Sequence, residues 1–208
     1  AATSVAVGDT PVFIVAADFN DDDKQDLAVT NLGDDNVSIL LGNGSGSFSN
    51  AVNYSVGTGP ISLVAADFDG DGQLDLSVAN RNSDNVSMLL GDGDGTFSAA
   101  TNFAAGGTAL QFVSSGDFDD DGNQDVVVSS LGSDNLSILL GDGNGGLSAA
   151  TNYVAGDNPS AVVVGDVDGD GVLDLAVANL GDGDVSVLRG VGVSDAQGAQ
   201  DVFAIDLD

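Results

Sequence analysis

One acidic phrase is written four times in this chain. DFNDDDKQDL begins at Asp18, DFDGDGQLDL at Asp67, DFDDDGNQDV at Asp117 and DVDGDGVLDL at Asp166, at intervals of 49, 50 and 49 residues. Self-similarity at such a period confines a chain to repeated supersecondary units, each of which needs a neighbour to cover its apolar face. What lies between the phrases repeats as well. Each unit continues with an apolar run (LAVTN from 27, LSVAN from 76, VVVSS from 126, LAVAN from 175) and a short polar turn. A second apolar run follows (VSILLG from 37, VSMLLG from 86, LSILLG from 136, VSVLRG from 185), then a Gly-rich turn and, in three units, a segment such as AATNF at 99–103. Four short runs per unit, bounded by Gly, Asn, Asp and Ser, read as four strands: into the acidic loop, out of it, and two more. Four strands in about 40 to 50 residues is the pattern of a β-propeller blade.

The fold class expected is therefore all-β: a β-propeller of four-stranded antiparallel blades, four repeats in the chain, closed into a four-bladed ring. One propeller domain is expected over 1–190, with blade-forming units at about 1–48, 49–97, 98–147 and 148–190 and a tail at 191–208. Two segments compete for the last strand of the fourth blade. Residues 2–8 (ATSVAVG) align with the fourth-strand segment AVNYSVG at 51–57, and AQDVFAI at 199–205 lies at the right distance after VSVLRG. The better repeat match, and the removal of exposed edges on closure, favour the N-terminal segment. The alternative leaves that segment free to complete a blade of a second copy, so the chain is expected as a monomer or a strand-exchanged dimer.

Composition narrows the partners. A hydrophobic fraction of 42% over 208 residues supports a real core, so this is no disordered acidic tail. All 33 acidic residues are Asp, set against Lys24, Arg81 and Arg189, for a net charge of -30. Asp bonds its own backbone in turns, which ties the carboxylates to loop geometry and ion binding. That charge repels phosphate backbones and anionic lipid, so neither nucleic acid nor membrane insertion is expected; cations are. No cysteine is present to form a disulfide or thiolate site, and no apolar run is long enough to span a bilayer.

These repeats resemble the FG-GAP or VCBS family, known from integrin α chains and from many bacterial surface and secreted proteins, and the likeness runs over residues 1 to 190. The resemblance implies that the acidic segment is the loop between the first two strands of a blade, that it holds calcium, and that the module is a non-enzymatic, secreted or cell-surface binding or adhesion unit.

Coordination chemistry leads to the same ion independently. Calcium takes six to eight oxygens, and a loop with carboxylates at positions 1, 3 and 5 and a carbonyl at position 7 can wrap one. The positions are Asp67, Asp69, Asp71 and the Gln73 carbonyl, closed by Asp75 at position 9; Asp117, Asp119, Asp121, the Asn123 carbonyl and Asp125; and Asp166, Asp168, Asp170, the Val172 carbonyl and Asp174. Gly72, Gly122 and Gly171 stand at position 6, where the chain turns sharply. The first copy has Asp18, Asn20, Asp22, Lys24 and Asp26, with Asp23 in place of that glycine; Asn supplies a neutral oxygen and Asp tolerates a left-handed backbone. About four calcium ions, one per repeat, are expected. An EF-hand is excluded because position 12 is Val29, Val78, Val128 or Val177, inside an apolar run, where that motif needs Glu. The Gly-rich turns such as GDGDG at 91–95 read as hairpin turns, and GDGNGG lacks the Lys and helix of a phosphate loop.

No catalytic residue is assigned. With no His or Cys and a single Lys, only Asp pairs could do acid-base work, and the best of them belong to the metal loops. The ligand expected is a protein or a glycan. Tyr54, Phe103 and Tyr153 share one repeat position and read as core rather than as sugar-stacking platforms.

Overall fold

The computed structural model describes residues 4–191 and, as a short strand, residues 203–205. Four antiparallel sheets of four strands follow one another along the chain, each with its strands side by side in chain order. Blade 1 is β1 (Pro11–Ala17), β2 (Asp26–Asn31), β3 (Asn36–Leu40) and β4 (Val52–Ser55). Blade 2 is β5 (Pro60–Ala66), β6 (Asp75–Asn80), β7 (Asn85–Leu89) and β8 (Thr101–Ala104). Blade 3 is β9 (Leu110–Gly116), β10 (Asp125–Ser130), β11 (Asn135–Leu139) and β12 (Thr151–Val154). Blade 4 is β13 (Pro159–Gly165), β14 (Asp174–Asn179), β15 (Asp184–Gly190) and β16 (Phe203–Ile205).

Strand alternation decides how the blades stack. Successive side chains point to opposite faces, so each blade shows one apolar face to the blade before it and another to the blade after. Ala28, Val37 and Ile39 of blade 1 pack on Leu63, Leu76 and Val78 of blade 2; Ala79, Val86 and Met88 of blade 2 pack on Val113, Val126 and Val128 of blade 3. Val127, Leu136 and Ile138 continue the pattern onto Val162, Leu175 and Val177 of blade 4. The tyrosines sit as the repeat implies. Tyr54 stacks edge-on against Phe97 of the next blade at 5.6 Å, and its hydroxyl accepts the Phe97 N–H at 3.2 Å.

Polar turns tie neighbouring blades together. Asp35, Asp84 and Asp134, each at a φ of 51°, receive on Oδ1 the backbone N–H of Gly59, Ala109 and Asn158 of the following blade, at 2.8, 2.8 and 2.9 Å. A carboxylate that accepts locally and tolerates the left-handed region suits this position.

One expectation is corrected. The tail, not the N-terminal segment, supplies the fourth strand of blade 4: Leu188, Arg189 and Gly190 of β15 lie opposite Ile205, Ala204 and Phe203, while residues 4–7 form no strand. Residues 2 and 3 of the competing segment, and 199–202 of the tail, lie outside the described residues. A tail that follows β15 closely in the chain reaches that edge at small loop-closure cost.

The described residues show no seam between blade 4 and blade 1, so they do not confirm the expected closed ring. Ile14 is 56% exposed, whereas Leu63, Val113 and Val162, at the same place in β5, β9 and β13, are at most 2% exposed. At the other end Val185 is 64% exposed where Val37, Val86 and Leu136 are fully buried. The described blades form an arc of a β-propeller-like repeat fold with an open face at each end.

Candidate metal centres

Each acidic loop joins the first strand of a blade to the second, and its shape follows from its own carboxylates. The position 1 aspartate accepts N–H groups from across the turn: Asp67 from Gly70 and Gly72 at 2.7 and 3.0 Å, Asp117 from Asp121 and Gly122 at 3.0 and 2.9 Å, Asp166 from Gly169 and Gly171 at 2.7 and 3.0 Å. Position 6 is left-handed, as expected, with φ of 89° to 91° at Gly72, Gly122 and Gly171, and Asp23 in the first loop takes 61°. Position 4 is left-handed too, at Gly70, Asp120, Gly169 and Asp21, and two positive φ values in one tight loop turn the carboxylates inward.

Three loops gather carboxylates into a shared point. Asp67, Asp69 and Asp71 in blade 2, Asp117, Asp119 and Asp125 in blade 3, and Asp166, Asp168 and Asp174 in blade 4 each bring one oxygen apiece to within 4.8 Å of one another. Asp75, Asp121 and Asp170 stand outside these sets: Asp121 and Asp170 accept the N–H of Asn123 and Val172 at 2.8 Å, and Asp71, inside its set, likewise accepts that of Gln73. The carbonyls of Gln73, Asn123 and Val172 therefore belong to residues whose N–H groups are already pinned by the loop.

The position 9 aspartate does more than close a ligand shell. In every blade it is fully buried and bridges two segments with two oxygens. Asp75 accepts the N–H groups of Phe68 and Gly91, both at 2.8 Å; Asp125 those of Phe118 and Gly141 at 2.7 and 2.8 Å; Asp174 those of Val167 and Gly190 at 2.9 and 2.8 Å; and Asp26 those of Phe19 and Gly42 at 3.0 and 2.6 Å. It locks the acidic loop to the end of the third strand. Nothing in the repeat pattern separates this structural role from ligation, because both preserve Asp at the same place.

Burial and like charge press on these groups. Asp75 and Asp125 are pushed up to about 6, first by burial and then by the facing carboxylates at positions 3 and 5, against the backbone bonds that favour ionisation. Asp69 and Asp119 are raised for the same reasons. Asp119 Oδ1 is buried with no hydrogen-bond partner. An orphaned buried acceptor within a cluster of carboxylates, with oxygen the only donor type, fits a hard divalent cation of the calcium class.

Blade 1 departs from the other three, and its loop is not among the three carboxylate clusters. Lys24 folds its ammonium back into the loop, Nζ donating to Asp22 Oδ2 at 2.8 Å. That contact lowers Asp22 and raises Lys24 from their ordinary values. One end of the Asn20 side-chain amide lies 3.1 Å from both Asp18 and Asp22, where its nitrogen would donate to the two carboxylates and its oxygen would serve a cation. Lys24 thus offsets one carboxylate of the loop, and Asp18, Asp22 and Asp26 are not among the clusters of three carboxylates found in the described residues.

The Gly-rich turns prove to be hairpins, with positive φ at Gly93 and Gly95 and at Gly143 and Gly145, and they also cap neighbouring loops. Gly95 donates its N–H to the Phe19 carbonyl at 2.9 Å and Gly145 donates to that of Phe68 at 3.1 Å, so each turn seats on the acidic loop of the preceding blade.

A model of the FG-GAP-like repeat matches residues 18–78, 67–128 and 117–177. The chain belongs to the FG-GAP-like repeat family. Solved structures share its fold at low identity. An Agrocybe aegerita lectin described for recognition of non-reducing terminal N-acetylglucosamine is 21% identical, with a TM-score of 0.56 over 84% of this chain and 47% of that one. A proposed 6-phosphogluconolactonase of Bacteroides uniformis is 16% identical, with a TM-score of 0.68 over 94% of this chain and 55% of that one. A Lactobacillus plantarum protein is 15% identical, with a TM-score of 0.63 over 94% and 60%. This FG-GAP-like chain spans about half to three-fifths of the length of these structures. No curated protein matches it.

Proposed function

We propose that this FG-GAP-like chain is a calcium-stabilised, non-enzymatic binding or adhesion module that works outside the cell. The observation that carries the reading is the trio of carboxylate clusters, each within 4.8 Å, one of which holds a buried unpartnered oxygen. Calcium would be held by Asp67, Asp69 and Asp71, by Asp117, Asp119 and Asp125, and by Asp166, Asp168 and Asp174, with Lys24 substituting for the ion in blade 1. Its contribution is electrostatic. An ion that binds only the folded loop stabilises the fold by mass action, and three such sites at the millimolar calcium of extracellular fluid together hold a glycine-rich fold. Thermal melting with and without calcium tests this: saturating calcium should raise Tm by 10 °C or more, on the order expected for a few kcal/mol at this size, and a melt indifferent to calcium would refute it.

A glycan ligand is favoured over a protein one by a single feature. A polar cavity of about 390 Å³ opens between the loops of blades 2 and 3, lined by Asp67, Gly70, Asn123, Gln124 and Gly143. Binding on a glycan array that is lost in Gly143→Trp supports that ligand class; an array without hits excludes it.

A further inference from the structure

We infer that the two open faces of the arc are complementary halves of one seam, and that two copies of this chain close on each other head to tail into a ring of eight blades. Every internal seam is built in the same sense, the following face of one blade against the preceding face of the next. Blade 1 presents an open preceding face: Val12, Ile14, Val29 and Phe48, flanked by Val5 and Val7 of the N-terminal segment, line a groove of about 440 Å³ with no charged side chain in its lining, in a chain of net charge -30. Blade 4 presents an unused following face in Val163, Val185 and Val187, which are 67, 64 and 40% exposed. These are the positions that Ser114, Leu136 and Ile138 take in blade 3, the last two of them in its seam with blade 4.

The two faces differ, so neither matches a second copy of itself, whereas each matches the other. Such heterologous contacts form a ring when the rotation closes, and eight blades lies within the range of propellers. The backbone carries the same message. Gly46 stands in blade 1 where Gly95 and Gly145 stand in blades 2 and 3, but a side chain there would meet open space. Val167 of blade 4 holds the place of Phe19 and Phe68, whose carbonyls accept from those glycines. In the ring, Gly46 of one copy donates to Val167 of the other and caps the blade 4 metal loop. Two departures make this seam weaker than the internal ones: Gly183 replaces the clamping Asp of the other blades, and Arg189 stands where Leu41 and Leu90 do. The seam between copies is apolar packing without the clamp, and the ring comes apart on dilution.

Light scattering after gel filtration in millimolar calcium should give twice the 20.5 kDa chain mass at high concentration. Ile14→Asp and Val185→Asp each bury an unpaired carboxylate in the seam and should weaken association by about 100-fold or more. Both residues are exposed within one chain, so both variants should keep the wild-type circular dichroism. Val52→Asp, on the 53% exposed outer strand, should leave the mass unchanged. An equimolar mixture of the Ile14→Asp and Val185→Asp proteins should regain the doubled mass through one intact seam. A wild type of single mass at every concentration, a ladder of higher masses, or a dimer broken by Ile14→Asp and not by Val185→Asp would each overturn the proposal.

Discussion

Stripped of divalent ions, the protein should grow more stable on mild acidification. Asp75 and Asp125 are fully buried and titrate at about 6 in the fold, against 3.8 for the free side chain. Between those two values the folded carboxyl still holds the proton that the unfolded chain has released. Unfolding therefore releases a proton, and stability falls as pH rises through the window. A shift of about two units at about 1.4 kcal/mol each makes roughly 3 kcal/mol per group, or about 6 kcal/mol for the pair as an upper figure, since loop relaxation shares the strain. Calcium reverses the sign. The ion competes with the proton at Asp125 and, beside Asp69 and Asp71, offsets the like charge that acts on Asp75, so the loaded protein should gain stability as pH rises over the same range. Urea unfolding followed by far-ultraviolet circular dichroism reads both curves, the chain having no Trp. A calcium-free protein whose stability is flat or rises between about pH 4 and about pH 6.5 would refute the linkage drawn from these two buried groups.

Three further outcomes are expected. Lys24→Gln releases Asp22 from its ammonium at 2.8 Å and should add a fourth bound calcium in native mass spectrometry, where an unchanged three would mean that Lys24 is not what occupies the loop. Asp119→Asn removes one charge at the orphaned oxygen and should weaken one of the three sites by about tenfold in calorimetric titration, with the calcium-free melting temperature unchanged or raised as repulsion falls. Gly122→Val forces a branched side chain to a φ of 90° and should cost about 1–3 kcal/mol in chemical denaturation, visible with or without calcium.

How much was legible in the sequence differs from element to element. The blades were legible because four copies of one pattern are four readings of the same strand alternation, and the acidic loops because oxygen ligands at odd positions with a turn at position 6 answer to one chemistry. The first loop was legible only in part. Its residue types match a site with substitutions, but the flexible four-carbon stem of Lys24 lets its charge return to Asp22, and a position-by-position match to a ligand pattern counts only the carbonyl of that residue. The edge of blade 4 misled for another reason. Residues 2–8 resemble a fourth strand more closely than 199–205 do, yet pairing is settled by which segment can reach β15, and the chain that has just left β15 reaches it first. Ring closure was not legible at all, because each repeat specifies its contact with a neighbour and none specifies how many neighbours complete the circle. The exposure of Ile14 and of Val185 beside their buried equivalents is what shows the gap.

The most direct measurement is a crystal of the calcium-loaded protein with its anomalous scattering map. Three peaks are expected, in the loops of blades 2, 3 and 4, each within about 2.3–2.6 Å of carboxylate oxygens, and none beside Lys24. Well-ordered loops that hold only water at Asp67, Asp117 and Asp166 in millimolar calcium would contradict the central claim.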